Sequence, residues 1–212
     1  MVQGSNFEVL FHIHHFGSDA HSETPAEETA ELVKEVMGID SAYAGIHFRD
    51  PSAPEAQFNT DEIINSLEKR GVNPGIEFNI IQDESGWRLD LTPDELRNLK
   101  ERHQGVLAIA SIHAVKAFGF TKETDGENAP EQDSDQMLAA YLQIIEKYGD
   151  LVDVIGHPFQ YANTATDPDH ISSLAEAAHS HGIALEINAA QIGLKNLVSV
   201  EDFMPTVAQV AG

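Results

Sequence analysis

The chain has 212 residues, of which 42% are hydrophobic, enough to bury one substantial core. Its 12 Lys and Arg stand against 35 Asp and Glu, a formal charge of −23, so neither nucleic acid nor an anionic membrane is expected as a partner. The absence of Cys excludes disulfide frameworks and thiolate metal sites, leaving His, Asp, Glu and water to hold any metal ion. No run approaches the ~18 apolar residues of a membrane span, and the start MVQGSNFEVL lacks the charged region that opens a signal peptide, so a cytoplasmic protein is expected.

Taken in chain order, six short apolar runs rich in β-branched and aromatic residues read as strands: FEVLFHI (7–13), YAGIHF (43–48), GIEFNII (75–81), VLAIASIH (106–113), LVDVIG (151–156) and IALEIN (183–188). Helices fall between them. Thr24, Pro25 and Glu27 form a capped start for a helix that stops at Gly38. Thr60 caps the next, and Thr92, Pro93 and Glu95 repeat the capped start for a third. Met137, Leu138, Tyr141, Leu142 and Ile145 recur at helical spacing between Ser134 and Tyr148. Asp167 with Pro168 opens another helix ending near Gly182, and Ser199 caps a last one. Strand and helix thus alternate, which implies one domain over 1–212 with a parallel sheet, either doubly wound or closed into a barrel. The irregular stretch 116–133 has the length of a lid or site-lining loop.

Ligand-type residues recur at the strand ends. His12 and His14 close the first strand, His47 the second and His113 the fourth; Glu77 lies early in the third, His157 follows the fifth, and Glu186 with Asn188 ends the sixth. In parallel α/β folds the loops after the strands share one face, so residues distant in sequence converge there. Imidazole and carboxylate together suit Zn, Mn or Fe, and the two histidines of HIH, two apart, share one side of a strand. His103, His179 and His181 read as surface residues, while His15 and His170 stay undecided.

These motifs resemble the polymerase and histidinol phosphatase (PHP) domain family. FHIHHFGSDAHSETPAEE (11–28) is similar to its first motif, GIHF (45–48) to the second, GIEF (75–78) to the glutamate motif and ASIHA (110–114) to the fourth. DVIGHPF (153–159) and ALEINAA (184–190) are similar to the later ones, so the resemblance spans almost the whole chain. Phe11, His15 and Ile46 depart from the family's usual residues at their positions.

The resemblance implies a distorted (β/α)7 TIM-like barrel that binds two or three divalent ions (Zn, Mn or Fe) and hydrolyses phosphoesters. It implies His12, His14, Asp19, His47, Glu77, His113 and His157 as metal ligands, with His21 a competitor for the place of Asp19 and with Glu77, His113 and His157 at the catalytic centre. The expected substrate is a small phosphomonoester of the histidinol phosphate or nucleotide type. Lys and Arg being scarce, Arg49 and Lys116 are the expected phosphate contacts. The family's final strand, with its Asp-x-His pair, has no counterpart after the helix at Ser199, so the barrel is expected to lack its seventh strand unless a further segment or a partner chain supplies it. Competing expectations are a PHP-like metal-binding or regulatory domain impaired in catalysis, and a carbon–nitrogen hydrolase.

Overall fold

The structure is a computed structural model that describes residues 11–14, 42–50, 53–57, 60–69, 73–113, 134–158 and 167–186. Six of its strands run parallel: β1 (Phe11–His14), β2 (Ala42–His47), β5 (Asn73–Asp83), β7 (Leu107–Ser111), β8 (Val154–Gly156) and β9 (Ala184–Leu185). Their order across the sheet is their order in the chain, with no reversal among them. A doubly wound sheet reverses direction at a switch point, and none occurs among the described strands. The six expected strands are therefore all present in the described residues, though several are shorter than their apolar runs.

The β5–β6 hairpin and the β3–β4 ribbon were not foreseen from the sequence. β6 (Gly86–Leu89) folds back antiparallel on the far end of β5, and β3 (Arg49–Asp50) pairs antiparallel with β4 (Ala53–Gln57). In the hairpin turn, Ser85 donates its backbone N–H and its hydroxyl to Asp83 Oδ1, at 2.8 and 2.6 Å, and Gly86 takes φ +103, open to glycine at little cost. The hairpin docks on a helix through the Trp87 N–H, which donates to Gln143 Oε1 at 3.0 Å.

Four helices are described: α1 (Thr60–Glu68), α2 (Pro93–Arg102), α3 (Ser134–Tyr148) and α4 (Pro168–His181). The expected capping box at the start of α2 forms in full: Thr92 accepts from the Glu95 N–H while the Glu95 carboxylate accepts from the Thr92 N–H. Asp167 caps α4 by accepting the N–H groups of Asp169 and His170, and Gly182 ends it at φ +69. The expected helices after Thr24 and Ser199 lie outside the described residues.

Alternation along the strands divides the sheet into two faces. Ile76, Phe78, Ala108, Ala110 and Ile155 pack on one side with Ile64 and Leu67 of α1, Leu96 and Leu99 of α2, Tyr141 and Ile144 of α3, and Leu174 of α4. Each such fully buried Leu or Ile stabilises the fold by about 1.5–3 kcal/mol. Glu77, Ile109 and Val154, in register with one another on β5, β7 and β8, are also buried but stand apart from that cluster. They mark the second face. One residue pair further along comes the layer Asn79, Ser111 and Gly156, the last two ending β7 and β8.

Candidate metal centre

Glu77 is fully buried on the central strand β5, with its neighbours set by the register of the sheet. His47, ending β2, pairs directly with Glu77 across the ladder, and the Glu77 carbonyl accepts the Phe48 N–H at 2.9 Å. His113 follows β7 by two residues, and His157 is the first residue after β8. Three imidazoles thus reach one carboxylate from the carboxyl ends of three other strands.

The distances are those of contact. His47 Nδ1 lies 3.4 Å from Glu77 Oε2, while His113 Nε2 and His157 Nε2 lie 3.3 and 3.0 Å from Glu77 Oε1. The rings of His47 and His113 meet edge to face with centroids 4.8 Å apart, and those of His113 and His157 at 5.3 Å. A carboxylate removed from water is costly unless polar partners surround it. Ligand atoms of His47, Glu77 and His113 lie within 4.8 Å of one another, a spacing at which one cation can draw them together. The remaining ring nitrogens of His113 and His157, both Nδ1, are buried without a hydrogen-bond partner among the described residues. Two imidazoles and a carboxylate are the donor set that Zn, Mn and Fe accept, and buried imidazole nitrogens left unpaired fit a centre whose charge is completed by an ion.

A further carboxylate frames the cluster. Glu186, immediately after β9, continues the parallel ladder by donating its N–H to the Ile155 carbonyl, and its Oε2 accepts the His157 N–H at 2.8 Å. His157 itself has φ +32, an uncommon value for a residue with a side chain. Beside it, Ser111 is fully buried, its hydroxyl without a hydrogen-bond partner among the described residues.

Of the residues expected to bind metal, His47, Glu77, His113 and His157 come together. His12 and His14 belong to the backbone of β1, at the edge of the described sheet, where His14 pairs with Gly45. Asp19, His21 and Lys116 lie outside the described residues, as does His15; Arg49 is placed by its backbone in β3, opposite Gln57. Glu186 was legible in the sequence as a ligand-type residue at a strand end, but its role toward a backbone N–H had no signal there. Ser111 and Gly156 carried none.

The surface reading of His103 is corrected: it is buried at the carboxyl end of α2, with Nε2 3.0 Å from Asp61 Oδ1 on α1. Sequence spacing could not reveal that partner, 42 positions away. The Arg102 side chain, followed by burial and the contact to His103, governs Asp61, and the net effect is a carboxyl held below its ordinary range. His179 and His181 are exposed, as expected. His170, undecided from sequence, is buried, with Nδ1 3.3 Å from Asp167.

Fold and site together define an α/β protein with a sequentially ordered parallel sheet and a histidine–carboxylate cluster at its strand ends. No protein-family model matches the chain. No curated protein matches it either. Among solved structures, the chain is similar to a protein described as a candidate alpha-L-fucosidase from Bacteroides thetaiotaomicron, with 11% identity and a TM-score of 0.45 over 83% of this chain and 73% of that one. At that distance the likeness carries neither chemistry nor substrate across.

Proposed function

We propose that this chain is a metal-dependent phosphoesterase of the PHP type, built on a distorted (β/α)7 barrel and acting on a small phosphomonoester. The observation that carries the proposal is the fully buried Glu77 carboxylate, approached within 3.0 to 3.4 Å by His47, His113 and His157 from three separate strand ends. A buried carboxylate ringed by imidazoles on the active face of a parallel sheet is a functional-site signature more than a stabilising device.

In this reading His47, Glu77 and His113 hold one divalent ion, His157 extends the set, and His12, His14 and Asp19 complete a centre of two or three ions. Such ions supply Lewis acidity: they offset phosphoryl charge and acidify water. The chain's own part is geometric. Glu77 gathers the imidazoles, its complete burial keeps bulk water from competing for them, and the ladder between β2, β5, β7 and β8 fixes their spacing. Arg49 and Lys116 are proposed to steady the substrate phosphate in a protein of charge −23.

Turnover of a generic aryl phosphate checks the proposal. Chelation abolishes it, Mn²⁺ or Zn²⁺ restores it, and H113A lowers it by at least about 100-fold, the scale at which a misplaced charge-stabilising group shows in rate. Full activity of the metal-free protein rejects the proposal. Metal bound at the cluster without turnover of phosphate or amide substrates points instead to a regulatory domain that kept the site and lost the chemistry.

A further inference from the structure

We infer that Glu186 is a positioning residue, which sets the His157 imidazole against Glu77 by holding the His157 backbone in a conformation it would otherwise leave. Among the described residues His157 alone combines a side chain with positive φ, at +32. Such a backbone is disfavoured for a residue with a side chain and persists only where its surroundings over-determine it.

Two features do so. The Glu186 carboxylate accepts the His157 N–H at 2.8 Å, a hydrogen bond strengthened by the charge of the acceptor. The other end of the same residue is fixed against Glu77, with Nε2 3.0 Å from Oε1. Glu186 reaches this place because its own N–H continues the ladder onto the Ile155 carbonyl at 2.9 Å, which puts its side chain beside the end of β8.

Gly156, the last residue of β8, precedes His157 in this corner. A Cβ there would lie 2.1 Å from Ser111 Oγ, 3.0 Å from Ile109 Cγ2 and 3.4 Å from Glu186 Oε2. The strand must therefore end in a residue without a side chain for Ser111 to pack against it, whereas Glu186 would remain in ordinary contact. Glu186 acts through the backbone of its neighbour, one strand over, and its effect on the cluster is indirect. That this placement serves metal binding rests on the proposed function; the placement itself does not.

The test uses the full chain and two readouts, hydrogen exchange of the His157 amide in metal-free protein and Mn²⁺ affinity by calorimetry. E186A speeds amide exchange by about tenfold or more and weakens Mn²⁺ binding by about 10–100-fold, the usual cost of losing a group that orients a metal ligand. E186D, one methylene short of the amide, shows the same losses in smaller measure. E186Q retains an acceptor oxygen and keeps both values within about threefold of the unmodified protein. Once H157A is present, E186A adds no further loss of affinity. Equal losses in E186Q and E186A overturn the inference in favour of a direct electrostatic or ligand role, and unchanged exchange in E186A overturns it outright. If the unmodified protein binds neither Mn²⁺ nor Zn²⁺ nor Fe²⁺, the phosphoesterase proposal fails, and amide exchange alone then decides whether Glu186 positions His157.

Discussion

A methyl group added at Gly156 would fall 2.1 Å from the Ser111 hydroxyl oxygen, far inside van der Waals contact. Neither side can yield easily, since Ser111 is fully buried and Gly156 is held in the ladder between β7 and β8. G156A is therefore expected to lower the unfolding free energy by about 1–3 kcal/mol in urea titration, the range for overpacking a closed interior. S111A removes at once the clashing oxygen and a buried hydroxyl that has no partner among the described residues, so it is expected to be neutral or stabilising alone and to recover part of the loss in the double variant. A double variant no more stable than G156A would show that the clash lies elsewhere. At this scale His47, His113 and His157 were readable as ligand-type residues next to the ends of apolar runs, and Glu77 as a carboxylate inside one. The Ser111–Gly156 contact was not, because a small residue states nothing about what approaches it from another strand.

Helix α4 shows how local chemistry sets a pH response. The carboxyl of Asp167 is held below its ordinary range, first by the side-chain hydrogen bond with His170 and then by the backbone N–H groups of His170 and Asp169. Folding thus favours the ionised form. The stabilisation is complete above the unfolded-state value of about 3.9 and is lost as pH falls through the lower folded-state value. D167N keeps a competent cap and removes the titration, so its stability should fall less steeply below about pH 4 than that of the unmodified protein. Acid titration of the circular dichroism signal checks this, and parallel acid limbs would exclude Asp167 as a contributor. The cap itself was legible, because Asp-Pro before an apolar periodicity is a local signal. The partnership with His170 follows from helix geometry three residues on. The β5–β6 hairpin also had a local signal, Asp83 to Gly86 between two apolar runs, whereas the ribbon of β3 and β4 carries Pro54 within its second strand and reads as irregular.

Across the described residues, the sequential parallel sheet gathers residues 47, 113, 157 and 186, from the carboxyl ends of β2, β7, β8 and β9, around Glu77 within β5, while α1 to α4 cover one face with the apolar core. No helix among the described residues is long and apolar enough to cross a membrane. Any ion that binds only the folded state adds to its stability, by about 2.7 kcal/mol at a free concentration 100 times its dissociation constant. Mn²⁺ or Zn²⁺ should therefore raise the melting temperature of chelator-treated protein. The double variant H47A/H113A should lose that increment, and H179A/H181A, at the exposed end of α4, should keep it. Equal increments in both variants would place the bound ion away from Glu77.

The sequence by itself determined the alternation of strands and helices, the starts of α2 and α4, and which residue types stand at the strand ends. These depend on period and on contacts within a few residues, and such interactions leave their mark in a single segment. Only the tertiary structure decided that Glu77 is fully enclosed, that three imidazoles meet it, that His103 is buried against Asp61 and that Glu186 takes the His157 N–H. The reason is physical. Each of those relations joins residues from different elements, and their separation in space is set by strand register and backbone conformation, which no local pattern encodes.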